Sequence, residues 1–428
     1  MTDTITDIDS ILAPFHQFGV NLGLTRIQTL LSAIGSPHEA IPIIHVAGTN
    51  GKGSVCAYLS SVLSAAGYKV GRYTSPHLVD WNERICLDGE PISTSVAIEM
   101  LTEVIAHIDP QVPTPTQFEI VTAAAWLYFA KSQVDIAVIE VGLGGRLDAT
   151  NVCDRPLATV ITSIDLEHWQ QLGDTITKIT TEKAGILKPN CPAIIGLLPT
   201  DAVTVVEERI EALNCPAVWV KSAVKILEPE FGQIDGLVGK GLSWAEFNGV
   251  KYPLALLGEM QLTNSAMAIA TILTLRQSGW KISDSAIAIG MATTQWLGRI
   301  QWTTWRGHKL LIDGAHNAAA AIALHEYIDT LDTPISWVIG MLSTKAHRAV
   351  FQAILRPGDR LYLVPVPDHS SADLAMLNDL AAEVCPGLES IDLYDTLTDG
   401  LTAATTATNH QMVLCGSLYL LGHFLKLG

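Results

Sequence analysis

A glycine-rich segment, HVAGTNGKGS over residues 45–54, carries the clearest chemical signal in the sequence. The apolar run before it predicts a strand ending at Gly48, and a helix is predicted to begin near Ser54. The glycines let the backbone curl so that its N–H groups point inward, the helix N-terminus adds partial positive charge, and Lys52 can reach the outer phosphates. The spacing departs from the usual phosphate-binding pattern at Val46 and Gly53. We predict a variant loop that binds a nucleoside triphosphate, the alternative being a glycine-rich turn that contains a lysine by chance.

Two further side chains stand where strand-end loops gather. Glu140 closes the apolar strand DIAVIE, and His168 follows the strand that ends in TSI. A carboxylate at the end of a buried strand suits Mg²⁺, which prefers oxygen ligands and keeps phosphate and water in its shell. A lone histidine is more often a surface or hydrogen-bonded structural residue, but its place at this edge of the sheet favours a functional role. The sequence therefore predicts a magnesium site beside the triphosphate.

Short β-branched runs alternate with longer helical patterns along the chain. Apolar strands are predicted within 41–48, 135–142, 157–164 and 191–198, and again within 308–317, 335–342, 359–367 and 411–421. Continuous apolar strands separated by helices indicate parallel sheets covered on both faces. The weakly periodic stretch 292–300 predicts a domain boundary, and residues 225–253 are predicted to be loops with short strands.

Composition excludes several classes of protein. A chain of 428 residues with 48% hydrophobic and 16% charged residues is globular and long enough for two or three domains. The acidic N-terminal segment and the lack of a long apolar run predict neither a signal peptide nor a membrane span. A net charge of −17 disfavours nucleic-acid binding, and seven dispersed cysteines indicate a reducing compartment. We expect a cytoplasmic protein with small-molecule partners, no nucleic acid and no membrane.

The glycine-rich loop, with Asn50 inside it, resembles the ATP loop of the Mur ligases and their folate relatives. Further motifs follow at the spacing of folylpolyglutamate synthase and dihydrofolate synthase: YTSPHL at 73–78, ERI at 83–85, TQFE at 116–119, EVGLGGRLDATN at 140–151, TSIDLEHWQQLG at 162–173, EKAGILK at 182–188, LGRIQ at 297–301, DGAHN at 313–317 and CGSLY at 415–419. The resemblance covers nearly the whole chain. It implies an α/β fold: an N-terminal P-loop ATPase-like domain with a mainly parallel sheet over 1–294, and a smaller C-terminal Rossmann-like α/β domain, the glutamate-ligase domain, over 295–428.

The resemblance also implies the residues that bind ATP and Mg²⁺. The expected nucleotide-binding residues are Thr49, Asn50, Gly51, Lys52, Gly53, Ser54, Asn264, Arg299, Asp313 and His316. The expected metal ligands are Ser75, Glu140, His168 and Lys183, the last as a carbamate formed with carbon dioxide. Lys52, Glu140, His168 and Lys183 are the expected catalytic residues. The alternative for Lys183 is an ordinary lysine on a helix surface.

The pterin-bearing substrate is expected to bind to three segments of the first domain. By resemblance these contain Asn21, Leu22 and Gly23; Thr116, Gln117, Phe118 and Glu119; and Leu147, Asp148 and Ala149. Phe118 can stack on a flat ring, and Glu119 can pair with its amino nitrogens. The alternative for TQFE is a helix capping box between Thr116 and Glu119, and both roles can hold together. Asn21 stands where some bifunctional relatives carry Asp.

The expected reaction is ATP-dependent ligation of L-glutamate to a folate-type carboxylate, dihydropteroate and/or tetrahydrofolate, through an acyl phosphate, by a monomer. A Mur-type ligase acting on a cell-wall nucleotide precursor is a first alternative, disfavoured because only 47 residues precede Gly48 and because TQFE belongs to the folate branch. A nucleotide-gated binding protein is a second. Around Lys345, the family's usual Asp-Lys-Asp is replaced by Thr344 and Ala346, so we expect glutamate binding or domain closure to differ there.

Overall fold

The computed structural model describes residues 7–18, 21–228, 241–407 and 409–427. The first six residues of the acidic N-terminal segment, and 229–240 within the predicted loop region, lie outside the described residues. The chain forms two compact units. The first runs to Ala255 and resumes over Leu262–Thr294, and the second contains Leu256–Gln261 and continues from Gln295. No sequence pattern predicts that Leu256–Gln261 belongs to the second unit.

The first unit is built on an eight-stranded sheet. Its strands are β1 (Ile43–Ala47), β2 (Val70–Tyr73), β3 (Ile85–Leu87), β4 (Glu90–Pro91), β5 (Ile136–Glu140), β6 (Ala158–Ile161), β7 (Ala193–Ile195) and β8 (Ala217–Trp219). Their order across the sheet is β4-β3-β2-β5-β1-β6-β7-β8. Every residue of β1 and β5 is buried, as expected for central strands covered on both faces. Because β1 is parallel to both β5 and β6, the loops after these strands lie at one edge.

Helices cover this sheet and hold its strand-end loops. They are α1 (Ile8–Leu12), α2 (Thr25–Ala33), α3 (Lys52–Ala65), α4 (Thr94–Ala106), α5 (Gln117–Ser132), α6 (Trp169–Leu172), α7 (Ile176–Ala184), α8 (Thr200–Leu213), α9 (Met260–Gln277) and α10 (Asp284–Thr293). α3 begins at Lys52, two residues before the predicted start, because Gly51 already takes the left-handed conformation that precedes the first turn. At Gly290 a Cβ atom would collide with the backbone of Val62, so glycine permits the close approach of α10 and α3.

A small antiparallel sheet completes the first unit. It consists of β9 (Val224–Ile226), β10 (Ser243–Phe247) and β11 (Val250–Leu254). Asn248 and Gly249, both with positive φ, form the turn between β10 and β11. The prediction of short strands in this region is therefore confirmed for its described parts.

The second unit contains a six-stranded sheet with helices. The strands are β12 (Gln301–Trp305), β13 (His308–Ile312), β14 (Ile335–Ile339), β15 (Arg360–Leu363), β16 (Ser390–Leu393) and β17 (Gln411–Cys415), and the helices are α11 (Ala318–Asp329), α12 (His347–Ile354), α13 (Leu374–Val384), α14 (Leu397–Ala404) and α15 (Leu418–Lys426). The order is β12-β13-β17-β14-β15-β16, parallel except for β12. The predicted α/β class with mainly parallel strands is confirmed for the large sheet of each unit, which has antiparallel pairing at one edge.

Within the described ranges, no helix combines the length and apolar character needed to cross a membrane.

Candidate active site

The glycine-rich loop connects β1 to α3 and is packed tightly on two sides. Gly51 has φ 87°, a conformation that L side chains avoid. A Cβ atom at Gly51 would lie 2.5 Å from Oδ1 of Asn264, and one at Gly48 would collide with Oγ1 of Thr162. The glycines are therefore required for close approach, and Asn264, a predicted nucleotide-binding residue, lies against the loop.

The segment after β6 holds the loop by hydrogen bonds. The backbone N–H of Thr49 donates to the carbonyl of Ser163 at 2.7 Å, and that of Asn50 donates to the Ser163 hydroxyl at 3.0 Å. The Thr162 hydroxyl donates to the carbonyl of Asn50 at 2.6 Å, and the N–H of Asp165 donates to the Thr49 hydroxyl at 3.0 Å. Thr162, Ser163 and Asp165 lie in the motif at 162–173, but no individual role was expected for them from the sequence. The sequence signal that could have indicated such a role is the occurrence of hydroxyl residues directly after a buried strand.

Lys52, Glu140 and Ser75 lie close together beside the glycine-rich loop. Parallel pairing sets Val46 of β1 beside Glu140 of β5, so the Glu140 side chain lies at the base of the loop. Lys52 Nζ donates to the carbonyl of Thr49 at 3.1 Å and is 3.9 Å from Glu140 Oε1. The backbone N–H of Ser75 donates to Glu140 Oε2 at 3.3 Å. The buried Glu140 carboxylate thus lies between the Lys52 ammonium group and the backbone N–H of Ser75.

Lys183 lies beneath the same loop. It belongs to the last turn of α7, is 5% exposed, and its Nζ donates to the carbonyl of Gly48 at 2.7 Å. The interpretation of Lys183 as a helix-surface lysine is therefore wrong. Burial lowers the pKa of Lys183 most, and repulsion from Lys52 lowers it further, to about 7.

His168 occupies a more open position. It has φ 52° and immediately precedes α6, and its side chain is 46% exposed, with Nε2 4.0 Å from Glu167 Oε1. The neighbouring Glu167 acts electrostatically on Lys183, opposing the fall in its pKa. The loop that carries His168 therefore approaches the buried lysine, while the imidazole itself is half in solvent.

The donor set at the loop suits magnesium better than a transition metal. In the described part of the chain, no three His, Cys, Asp or Glu side chains cluster as a metal cage. Magnesium rarely uses such a cage, because it keeps several waters and binds one or two protein oxygens together with substrate phosphates. The buried Glu140 carboxylate beside Ser75 and the phosphate loop supplies that chemistry.

The loop after β5, residues 141–151, is shaped by Asp148. Its Oδ2 accepts the N–H of Leu143 at 2.8 Å, and its Oδ1 accepts the N–H and the hydroxyl of Thr150 at 3.0 and 2.5 Å. Burial raises the pKa of Asp148 against these hydrogen bonds. Because both oxygens are already used, Asp148 shapes the loop; a direct contact with substrate would compete with these bonds.

The three predicted substrate segments lie together. The N–H of Gly23 donates to the carbonyl of Leu147 at 3.2 Å, which joins the N-terminal segment to the 141–151 loop. Leu22 and Leu143 are partly buried and pack against the same hydrophobic cluster, Ala149 is buried, and Asn21 is exposed. A hydrogen bond therefore brings together Gly23 and Leu147, which are far apart in the sequence.

The TQFE segment begins helix α5. Thr116 Oγ1 accepts the N–H of Glu119 at 3.2 Å and Glu119 Oε2 accepts the N–H of Thr116 at 2.7 Å, so the capping box is confirmed. Phe118 is partly buried against Gly142, where a Cβ atom would collide with its ring, and lies 6.2 Å from the Tyr73 ring. Nε2 of Gln117 and Oε1 of Glu119 are buried and have no hydrogen-bond partner among the described residues. The described chain therefore leaves the hydrogen-bonding capacity of these two atoms unused.

The second unit gathers Arg299, Asp313 and His316. Asp313 is buried and accepts the N–H groups of Ile300 and Ala315 at 2.8 and 2.7 Å. Burial raises its pKa, and the Arg299 charge opposes this. A Cβ atom at Gly314 would collide with the Arg299 guanidinium, and His316 Nδ1 is 2.8 Å from the Gly314 carbonyl. The LGRIQ and DGAHN motifs therefore form one cluster at the end of β13.

Two family models match the chain. The Mur ligase middle domain matches residues 46–272, and the dihydrofolate synthetase C-terminal domain matches residues 297–427. The phosphate loop on a parallel sheet, followed by a second α/β unit, thus defines a Mur ligase-type protein.

Similar proteins narrow this class. A dihydrofolate synthetase of Saccharomyces cerevisiae is 33% identical over 95% of this chain and 98% of its own length. A folylpolyglutamate synthase of Lacticaseibacillus casei is 34% identical over 92% of each chain. The solved structure of a Mycobacterium tuberculosis folylpolyglutamate synthase complexed with ADP and AMPPCP superposes with a TM-score of 0.84, at 28% identity over 98% of both chains. The chain belongs to the dihydrofolate synthase/folylpolyglutamate synthase family.

Proposed function

We propose that this protein is an ADP-forming ligase that joins L-glutamate to a folate-type carboxylate, dihydropteroate or a reduced folate such as tetrahydrofolate. The observation that carries the proposal is the convergence of Lys52, Glu140, Ser75 and the buried Lys183 on one phosphate loop. The three substrate segments of the same unit supply a place for the pterin. In this proposal ATP is the phosphoryl donor and the first unit, within 1–294, binds both substrates.

The chain's own groups account for the chemistry. The substrate carboxylate attacks the γ-phosphorus of ATP, the bond to the bridging oxygen breaks, and ADP leaves from an acyl phosphate. The loop N–H groups and Lys52 neutralise charge on the phosphoryl oxygens. The amino group of glutamate then attacks the acyl carbon, loses a proton and displaces phosphate. No nucleophilic side chain is needed.

Magnesium would be held by Ser75, Glu140, His168 and a carbamate on Lys183, and when bound it neutralises phosphate charge. Support for Ser75 and Glu140 is their mutual contact, and support for Lys183 is its burial under Gly48. A lysine with a lowered pKa carries the neutral amine that reacts with carbon dioxide.

The second unit, within 295–428, is proposed to act on the nucleotide through Arg299, Asp313 and His316 and to serve glutamate addition. The segment around Lys345 lacks the family's flanking aspartates, which supports a difference in glutamate binding there.

The decisive assay is ADP release by the full chain with dihydropteroate and tetrahydrofolate offered separately, each with and without L-glutamate. Glutamate-dependent ADP release with either acceptor supports the ligase. ADP release independent of glutamate, or none at all, would favour a nucleotide-gated binding protein. Release with only one acceptor decides between the two synthase activities.

A monomeric, cytoplasmic enzyme is proposed as well. Seven free thiols support a reducing compartment. Light scattering coupled to size exclusion tests the monomer, and fractionation of cells tests the compartment.

A further inference from the structure

Arg26, in the first turn of α2, connects two of the substrate segments. Its Nε donates to Glu119 Oε2 at 3.0 Å, and its terminal guanidinium nitrogen donates to the carbonyl of Asn21. The Arg26 side chain is only 14% exposed. Nothing in the local sequence around this arginine points to a partner 93 residues away.

Arg26 pairs with the carboxylate of Glu119, in which one oxygen accepts hydrogen bonds and the other has no partner among the described residues. Glu119 is 3% exposed, and its Oε2 accepts from both Arg26 and the N–H of Thr116. Its Oε1 is buried without a hydrogen-bond partner among the described residues. A buried carboxylate costs free energy unless it is paired and hydrogen-bonded, so Oε1 calls for a donor that the described chain does not supply.

The surroundings of this pair also have an unmatched donor. Nε2 of Gln117, two residues before Glu119, is buried without a partner in the described structure. The same N-terminal segment that Arg26 contacts at Asn21 is joined at Gly23 to Leu147. Glu119 therefore has an acceptor, and Gln117 a donor, without a partner in the described structure. Arg26 connects their segment to the N-terminal segment by its hydrogen bonds.

We propose that Arg26 is a positioning residue for the heterocycle of the pterin-bearing substrate. By holding Oε2 of Glu119, it sets the orientation of the carboxylate, so that Oε1 accepts from a ring or amino N–H of the ligand. By donating to the Asn21 carbonyl, it keeps the N-terminal segment beside Glu119. Arg26 acts through Glu119 and does not itself touch the reacting atoms. The inference rests on the proposed function for the identity of the ligand.

The test compares variants of the full chain: Arg26→Gln, Arg26→Lys, Glu119→Gln and the double variant Arg26→Gln/Glu119→Gln. The control is Arg348→Gln, which breaks an exposed arginine–glutamate pair with Glu383 in the second unit. Equilibrium binding of dihydropteroate and of tetrahydrofolate is followed by intrinsic fluorescence, and KM values are measured for the acceptor and for ATP.

Arg26→Gln is expected to weaken binding of the pterin compound and to raise its KM by roughly tenfold or more, as when a buried charge pair loses one member. The KM for ATP and the affinity for an ATP analogue should change less than about twofold. Arg26→Lys should recover part of the loss, and the double variant should be no worse than the more damaged single variant. The Arg348→Gln control should match the parent.

Three outcomes would overturn the inference. They are unchanged pterin binding in Arg26→Gln, equal losses of affinity for pterin and ATP, or additive effects in the double variant. A parent enzyme that binds the pterin compound but ligates no glutamate would refute the proposed function alone, because binding is measured without turnover. If Arg26→Gln lacks the cooperative thermal unfolding transition of the parent, the comparison rests on Arg26→Lys against Arg348→Gln, where equal pterin affinity would refute the role.

Discussion

Lys183 and Gly48 are joined by a hydrogen bond of 2.7 Å from the lysine Nζ to the glycine carbonyl, across 135 residues of chain. This contact anchors the underside of the phosphate loop with a buried amine. Burial of that amine disfavours its charged form, which lowers its pKa to about 7. The same group therefore supports the loop and carries the neutral amine that the proposed carbamate requires.

The lowered pKa of Lys183 makes stability depend on pH. Its ordinary pKa is 10.5, and the folded value is about 7. Between these values the unfolded chain binds more protons than the folded chain, so the free energy of unfolding due to this group rises with pH from about 7 to about 10.5. In carbon dioxide-free buffer, the free energy of unfolding of the parent relative to that of Lys183→Met should rise with pH over this window, as measured by urea unfolding. Lys178→Met, on the exposed side of α7, should show no such trend, and parallel pH profiles for Lys183→Met and parent would contradict the burial effect.

Removal of Lys183 should abolish turnover if the carbamate is a metal ligand. An ammonium group cannot ligate a cation, whereas a carbamate supplies oxygen donors and negative charge. We expect Lys183→Ala to be nearly inactive and acetate to restore some turnover by entering the vacated space. A crystal grown with metal and nucleotide, without removal of carbon dioxide, should show the added density. An unmodified lysine there would refute the carbamate.

Lys52→Ala should abolish ligation while leaving the fold intact. The Lys52 side chain lies at the loop, partly exposed, and contributes little to the core. Its loss removes positive charge from the phosphoryl oxygens. Activity is measured as glutamate-dependent ADP release, and thermal unfolding checks the fold. Near-parental activity with unchanged ATP affinity would sink the assignment.

Glu140→Gln should weaken magnesium binding and lower activity by about two orders of magnitude or more. The change keeps the shape of the buried side chain but removes the charge beside Lys52 and Ser75. Titration of activity with magnesium should show a higher requirement. Glu103→Gln, at an exposed pair with Lys131, is the control. If the Glu140 variant matches the parent at every magnesium concentration, Glu140 is structural.

Gly51→Ala separates steric fit from backbone conformation. The added Cβ would lie 2.5 Å from Asn264 Oδ1, and φ 87° is strained for alanine by about 1–2 kcal/mol. Gly67→Ala is the matched control, since Gly67 has φ 89° at the end of α3 but has no atom within 4 Å of the added Cβ. Both variants should lose similar backbone stability in urea unfolding, whereas only Gly51→Ala should lose affinity for an ATP analogue, by roughly tenfold. Equal ATP affinities would show that the contact with Asn264 is unimportant.

The sequence by itself determined the local elements and the glycine-rich loop. Glycine spacing predicts the loop before α3, apolar runs predict the parallel strands of both units, and the final carboxylate of a buried run identifies Glu140. These features are local, because strand periodicity, left-handed glycine conformations and strand ends are set by neighbouring residues. Parallel order then brings strand-end residues to one edge.

Only the tertiary structure decided the contacts between distant segments. It buried Lys183 against Gly48, used both oxygens of Asp148 inside its own loop, and paired Arg26 with Glu119. A lysine on an exposed helix face and one under a loop have the same local pattern, and an arginine's partner depends on which helices pack together. Burial and pairing are properties of the packed chain, so a sequence pattern can indicate which residues matter without showing which atoms remain free for a ligand.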